Sequence, residues 1–492
     1  MKIFEFRDHI GNSLSPIIGA PGDQLSLIVT MLSVIPFCFI NYLIHGYYPR
    51  LIYSLVLGVF FQYSIYYNNS VHILITAIVT YAFIQYFGRK KSAFYILIFS
   101  LVYLSVLHIK RIFYEYGEWR GDDPTTIYMM SICKFSSIAF SYEDGGKDIK
   151  ELKNKHHQEY RIVQKPTLLE VLSFIYFYPT SIIGPSIEFK DFINFINEKD
   201  CYQNLNSKLL YILPRGLIYF LGSFVAMAYY AIISNKLPVG AVAEKDFGKH
   251  SLLYTLGYIY LCIPSIRSKF YSGWILSYST VIFSGLSYTE KEENGKIVQS
   301  LEKGDYGSIV VCEWSINPNN MINEWNKTTH LWLKYNVYTR VINIKKKPFE
   351  NNKSLASFFT FVCSAIWHGF YLTYYLTFFL LFCYQDSCVV LEKLGFYDFI
   401  YRHKILMPFA SIINNLAFET LGIFFFNLEW DKAMIGLKNM RYYPLIFILG
   451  LFVFTKSIKV PKKPKDDKKS KDEKLEKVEK MEEIEKKEKK VE

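Results

Sequence analysis

Ser364-Ala365-Ile366-Trp367-His368-Gly369 sits in the middle of an apolar run, LASFFTFVCSAIWHGFYLTYYLTFFLLF, that extends from Leu355 to Phe382. A histidine in such a run is costly to place in lipid unless it has partners and a task. Read as a helix, the stretch sets Ser364 and His368 four residues apart on one face. A hydroxyl beside an imidazole is suited to moving a proton. Intramembrane histidines also serve as interhelical hydrogen-bond partners, so the run alone leaves both roles open.

Working outward, the same apolar character recurs almost from end to end of the 492 residues. Hydrophobic residues make up 51% of the chain and aromatic residues 18%, with 40 Tyr and 41 Phe. Many runs approach the roughly 20 residues that span a bilayer. A soluble chain of this length would divide into domains with amphipathic rather than continuous apolar stretches. The composition predicts an all-α, multi-pass transmembrane protein. The net charge of +12 then reflects Lys and Arg collected in cytoplasmic loops rather than a nucleic-acid surface. The eight cysteines are scattered and form no Cys-x-x-Cys pair, so neither a zinc site nor a redox motif is indicated. The amino terminus has no signal-peptide core, which leaves insertion to the first membrane helix.

In chain order the apolar segments are Leu25 to Ile44, Leu51 to Tyr67, Val71 to Phe87 and Ser92 to Leu107. The short basic loop Gly88-Arg89-Lys90-Lys91 is assigned to the cytosol. Thr126 to Phe140 is short for a span and carries Lys134 at its centre, so it is expected to re-enter the membrane or line a cavity. His156 and His157 fall in a hydrophilic loop, Glu143 to Pro166, and are expected to be solvated. Between Leu168 and Pro185, Pro179 and Gly184-Pro185 must end or kink a helix and free backbone groups that need new partners. Leu209 to Ile233 is a long span. Leu252 to Pro264 and Trp274 to Leu286 read as two shorter pieces, and Thr289 to Asp305 as a polar loop. Ile405 to Phe426 and Tyr443 to Phe454 are the last two spans.

A second polar stretch runs from Glu313 to Arg340, with Glu324-Trp325-Asn326-Lys327-Thr328-Thr329-His330-Leu331-Trp332 at its core. It is too polar to face lipid, yet its Trp and Tyr residues suit an interface or a cavity wall. The division expected is a membrane-embedded unit over residues 1–456 and a charged, disordered cytosolic tail over 457–492. In that tail Lys and acidic residues nearly balance, with too little apolar surface to fold alone. Lys489-Lys490-Val491-Glu492 fits a dilysine retrieval pattern, which arises readily by chance among so many lysines.

Four stretches together resemble the membrane-bound O-acyltransferase family, in its lysophospholipid acyltransferase branch. Trp325-Asn326-Lys327-Thr328 with Trp332-Leu333 and Val337-Tyr338-x-Arg340 is similar to that branch's asparagine motif. Ser364-Ala365-Ile366-Trp367-His368-Gly369 resembles its histidine motif. Tyr178-Pro179, Gly184-Pro185 and Phe189-Lys190-Asp191-Phe192 resemble a third signature. Tyr116-Gly117-x-Trp119 with Lys134-Phe135-Ser136-Ser137 through Asp144-Gly145 resembles a fourth. One departure is local: where the family continues into Pro-Gly-Tyr, this chain has Leu372-Thr373-Tyr374.

Run length predicts about eleven spans, and the resemblance implies that they enclose a polar catalytic chamber in the endoplasmic reticulum membrane. It implies transfer of a fatty acyl group from acyl-CoA to the free hydroxyl of a lysophospholipid. His368 would act as general base and Asn326 as donor to the developing oxyanion. Ser364, Trp325, Thr328 and Trp367 would contact substrate. No resident cofactor or metal is expected, since acyl-CoA is a co-substrate, and no nucleic acid; membrane lipid surrounds the protein. Homodimerisation stays open. His330 competes as base, and the tryptophans compete between packing and substrate contact. A relative of the family acting on diacylglycerol, a sterol or a protein is the nearest rival. A secondary transporter is the rival from another class; it would predict inverted repeats, and the sequence displays no internal repeat.

Overall fold

The computed structural model describes residues 2–18, 22–114, 123–293 and 295–459. The Tyr116-to-Trp119 stretch and the tail beyond Lys459 lie outside them. After an N-terminal helix, Lys2–Ile18, four helices follow the apolar segments: α1 (Gly22–Ile40), α2 (Tyr47–Tyr66), α3 (Val71–Phe87) and α4 (Ser92–Tyr114). On α4, Phe94, Ile98, Val102, Val106 and Ile109 are exposed while Ile96, Ser100, Leu104 and His108 are buried. That is the two-faced pattern of a helix with lipid on one side and protein on the other.

Next comes α5 (Pro124–Asp144), whose N-terminus is capped by Asp123, the carboxylate accepting from Thr125 N at 2.8 Å. Every residue from Ser131 to Phe140 on α5 is buried. A helix enclosed on all sides belongs to the protein interior, which explains how it carries Lys134, Ser136 and Ser137 without meeting lipid. The short α6 (Leu168–Ile175) starts from a Thr167–Glu170 capping box and stops ahead of a 3-10 turn at Tyr178–Thr180. Gly58 of α2 sits against this break so closely that a Cβ there would overlap the Tyr176 carbonyl.

Two long helices then pair, α7 (Leu209–Ser234) and α8 (Leu252–Ser284). The two apolar pieces expected here are one 33-residue helix with Pro264 inside it. The sequence break at Pro264 was misleading because the helix continues past it, and residues 275–284 are fully enclosed. The expected polar loop is a β-hairpin instead, β1 (Tyr288–Glu293) against β2 (Lys296–Leu301), in antiparallel register from Tyr288↔Leu301 to Glu293↔Lys296. Asn294-Gly295, with Gly295 at φ +72°, is the turn signal that reveals it.

The polar stretch folds as short helices: α9 (Ile309–Trp314), α10 (Pro318–Glu324) and α11 (Lys327–Leu333), then a π-helical turn at Lys334–Tyr338. The apolar run around His368 divides at Gly369 into α12 (Lys353–His368) and α13 (Leu372–Lys393). The carboxy-terminal described part is α14 (Met407–Phe426), α15 (Trp430–Asn439) and α16 (Tyr443–Ser457). Among the described residues three apolar clusters result, two of them large. Trp332 and Trp367 belong to the first, together with residues of α1 to α8; Leu380, Tyr384, Leu421 and Phe424 belong to the second. The histidine motif therefore lies where one core hands over to the other.

The chain is a predominantly helical integral membrane protein. Among the described residues, six helical stretches are long and apolar enough to cross a bilayer, or seven if the bent pair α15–α16 counts as one span. This falls short of the roughly eleven expected from run length. Part of the difference is physical. The α2–α3 stretch is one 41-residue apolar unit interrupted by a 3-10 turn. α12 has 16 residues, fewer than a span requires. α5 is wrapped in protein.

The proline break behaves as a broken helix must. Its freed carbonyls find partners inside the protein: Lys134 Nζ donates to Phe174 O (3.3 Å), Ile175 O (3.1 Å) and Thr180 Oγ1 (2.7 Å). Thr280 Oγ1 donates to Pro179 O at 3.1 Å, Ser277 Oγ to Gly184 O, and Gln62 Nε2 to Ser181 O at 2.9 Å. All three ammonium donors of Lys134 are used. Replacing Lys134 with Met keeps the apolar stem and strips these bonds, so the detergent-solubilised variant should lose about 2–4 kcal/mol. The readout is a drop of several degrees in Tm by intrinsic fluorescence.

Candidate active site

Asn326 is the residue from which α11 starts, and it adopts left-handed backbone angles, φ 46° and ψ 58°. Asparagine is one of the few residues that enter this region readily. Lys327 N donates to Tyr306 O and His330 N to Asn326 O, both at 3.0 Å, so the backbone here is held. The Asn326 side chain makes no capping bond. It lines a cavity of about 10 Å³ with Met130, Ile183, Pro185, Trp274, Tyr306 and Thr328. That is room for about one water. Thr328 is buried and its hydroxyl accepts from Ser186 N at 3.4 Å. Met130, Pro185 and Asn326, from three separate parts of the chain, thus converge on one small, mostly apolar space.

The polar stretch is pinned at both ends and in the middle. At one end Glu313 takes a bidentate pair from Arg267 (Nε 2.9 Å, guanidinium NH2 2.5 Å) and a bond from Tyr271 OH at 2.8 Å. The same guanidinium lies 3.4 Å from the buried Glu419. At the other end Arg340 pairs with the buried Asp144 at 2.8 and 2.5 Å. Between them Trp332 Nε1 donates to Ser136 Oγ (2.8 Å), Asn336 Nδ2 to Ser137 Oγ (3.0 Å), and Lys327 Nζ pairs with Asp305 (2.6 Å). Paired and hydrogen-bonded charges are the form in which such groups are tolerated inside a protein. Trp325 packs against Trp274, Tyr271 and Phe270 with ring centroids 4.9, 5.5 and 6.2 Å away.

His368 is the last residue of α12 and is partly accessible, with Ser364 buried one turn before it. Its ring stands among Trp367 (4.8 Å), Phe378 (5.1 Å, stacked), Phe425 (5.1 Å) and Tyr374 (5.6 Å). Leu372-Thr373-Tyr374, the departure noted in the sequence, forms the first turn of α13 and supplies that Tyr374 wall. The Trp367 indole donates to Met129 O at 2.8 Å, and its ring lies 6.2 Å from Trp332. Its hydrogen-bonding group is therefore engaged by α5.

No described hydrogen bond joins Asn326 to His368. They are linked through α5, where Met129 holds Trp367 and the adjacent Met130 faces the Asn326 cavity. A second link runs through rings, from Trp325 to Phe270, Phe426, Phe425 and then His368. His330 is half-buried on α11. Ser364 and His368 share one helix as expected.

A match to the MBOAT, membrane-bound O-acyltransferase, family covers residues 60–426. The chain belongs to this family. Among similar proteins, the lysophospholipid acyltransferase of Saccharomyces cerevisiae is 27% identical over 79% of this chain and 64% of its own. Lysophospholipid acyltransferase 6 of Drosophila melanogaster is 28% identical over 83% of this chain and 57% of its own. The lysophospholipid acyltransferase of Schizosaccharomyces pombe is 25% identical over 90% and 89%. The chain thus spans about 60% of the length of the first two relatives.

Sequence reading missed His108, Arg267 and Glu419. His108 carried a legible signal: it continues the buried Ile96–Ser100–Leu104 stripe of α4, and a polar residue on that face of a span marks a structural or functional contact. His156 and His157, expected in water, are engaged instead. His156 stacks on Tyr335 at 3.7 Å and meets Glu188 at 3.3 Å. His157 is buried and its Nε2 donates to Tyr335 O at 3.1 Å, close to Thr339. They clamp the hydrophilic loop onto the π-helical turn that precedes Arg340.

Burial, and next the nearby Arg340 guanidinium, hold His157 down from 6.5 to about 4. The unfolded or detached loop binds a proton below about 6.5, whereas the docked loop does not until about 4. The clamp is therefore intact above the upper value and loses stability as pH falls through that window. Hydrogen exchange of peptides from 155–163 should accelerate between pH 7 and 5, after correction for intrinsic rates. His157→Gln should flatten that dependence.

Proposed function

We propose that this MBOAT chain is a lysophospholipid acyltransferase, moving a fatty acyl group from acyl-CoA to the free hydroxyl of a lysophospholipid. The observation that carries the reading is the pairing of two sites through α5: a histidine in an aromatic box, and an asparagine on the wall of a small cavity. The names of the yeast, fruit-fly and fission-yeast relatives support the acceptor class. The site lies in a polar chamber within the endoplasmic reticulum membrane. That chamber opens when substrates displace its lining side chains, since the cavity beside Asn326 holds about one water.

In this mechanism a ring nitrogen of His368 takes the hydroxyl proton as the lysophospholipid oxygen attacks the thioester carbonyl carbon. The carbonyl oxygen becomes an oxyanion and accepts from the Asn326 amide, a fixed donor that gains strength away from water. The carbon–sulfur bond then breaks, and CoA leaves as thiolate, taking the proton back from the imidazolium. Products are a diacyl phospholipid and CoA. A thioester is already activated, so the chemistry asks for no resident cofactor. Ser364, Trp325, Thr328 and Trp367 bound the space in which the two substrates meet.

The test uses membranes without background activity, labelled oleoyl-CoA and a panel of lysophospholipids. Wild type should acylate at least one of them. His368→Ala at matched expression should fall by about 10²–10⁴-fold, and Asn326→Ala by about 10²–10³-fold. Acylation of diacylglycerol or sterol alone would replace the acceptor. Full activity in His368→Ala would remove the base.

A further inference from the structure

We infer that His108 is a positioning residue for the reaction proposed above, holding the peptide unit from which His368 hangs. This rests on His368 being the base. His108 lies on the buried face of α4, and its Nε2 is 3.1 Å from the carbonyl oxygen of Trp367. A carbonyl only accepts, so Nε2 carries the proton of that bond. The carbonyl belongs to the same planar peptide unit as the nitrogen of His368. Fixing that oxygen fixes the plane that sets the direction of the His368 Cα–Cβ bond.

That plane has few other restraints. It lies in the last turn of α12, where carbonyls lose their intrahelical partners and helices fray. The His368 ring itself has no described hydrogen-bond partner; four aromatic rings surround it. Such contacts limit where the ring lies but leave its tilt to the backbone. The Trp367 indole bond to Met129 O anchors the neighbouring side chain, so His108 and α5 grip the same residue from two elements.

The fit at Gly369 is a second, independent mark of this contact. Gly369 has φ +122°, and a Cβ there would stand 3.1 Å from His108 Nδ1 and 3.2 Å from its Cγ. The chain leaves α12 directly over the His108 ring, close enough that a side chain at 369 would press on it. Behind His108, Arg111 pairs with Asp123 at 3.1 Å, joining the end of α4 to the cap of α5. The ring is thereby mounted on two helices already tied together.

The experiment compares His108→Phe, His108→Gln and His368→Ala with wild type, in the same acyl-transfer assay and with Tm recorded for each. Phe keeps the ring volume without the donor, and the Gln side-chain amide reaches the same carbonyl. His108→Phe should lose about 10²-fold in kcat, the scale of a small misplacement of a reacting group. KM for both substrates should stay within about two-fold, and His108→Gln should recover most of kcat. A merely structural role would instead raise KM and lower Tm with no rescue by Gln. Wild-type kcat in His108→Phe, or a loss confined to KM, overturns the inference. Should His108→Phe not accumulate, His108→Asn, one methylene too short to reach the carbonyl, takes its place against His108→Gln. If His368→Ala is inactive while the donor-less variant is normal, only the positioning role falls. If His368→Ala is active, the base assignment falls and the positioning role with it.

Discussion

The rest of the structure depends on one buried helix, α5, and on what its backbone and polar side chains hold. Lys134 closes the carbonyls of the proline break, Ser136 and Ser137 take the donors of Trp332 and Asn336, Asp144 takes Arg340, and Met129 takes Trp367. Each neutral bond contributes only about 0.5–1.5 kcal/mol net, but a buried donor left without a partner costs about 1–3 kcal/mol. The cost of leaving such groups unpaired therefore fixes the arrangement. A shift of α5 by one residue would orphan several of them at once. That makes the relative placement of the asparagine and histidine stretches a property of one rigid element.

This also explains why the motifs resembling those of the family are rich in residues that do not themselves face the cavity. Trp332, Asn336 and Arg340 find their partners in Ser136, Ser137 and Asp144, across stretches far apart in sequence. From sequence alone only the Trp and Tyr of the polar stretch were expected at an interface or a cavity wall. In the fold these partnered residues are the ties between walls. Among the described residues, Asn326 and His368 are not part of this set of ties.

The helical membrane character was legible because run length and apolar composition are local properties, and the helices α1 to α4, α7 and α14 follow the expected segments closely. The number of spans was less legible. Hydropathy cannot tell an apolar helix wrapped in protein from one wrapped in lipid, and α5 is the clearest case. Pro264 reads as a break, yet the helix runs through it. Asn294-Gly295 offered a hairpin signal that the surrounding charges obscured. At the site, His368 stood out because it interrupts an apolar run, and Asn326 because its stretch resembles the family's asparagine motif. His108 was passed over despite its spacing with Ile96, Ser100 and Leu104, and its contact with the Trp367 carbonyl is visible only in the fold. The histidines of the hydrophilic loop misled for the opposite reason: a charged neighbourhood in sequence says nothing about a tyrosine that folds over them.

A base that must accept a proton from a hydroxyl and return it to a departing thiolate needs its ring nitrogens unencumbered. A histidine fixed by a carboxylate or carbonyl on its own ring gives up one nitrogen to that bond. The arrangement around His368 separates the two demands. Aromatic faces enclose the ring without claiming either nitrogen, and the orientation is set one bond upstream, through the Trp367 carbonyl and indole. Such a division works only if the upstream peptide is held by elements that do not move with the substrate. His108 sits on α4, against the lipid-facing layer, and Met129 on the enclosed α5. Neither is among the residues lining the cavity beside Asn326 and Thr328, so displacing that cavity's side chains leaves both contacts to Trp367 in place.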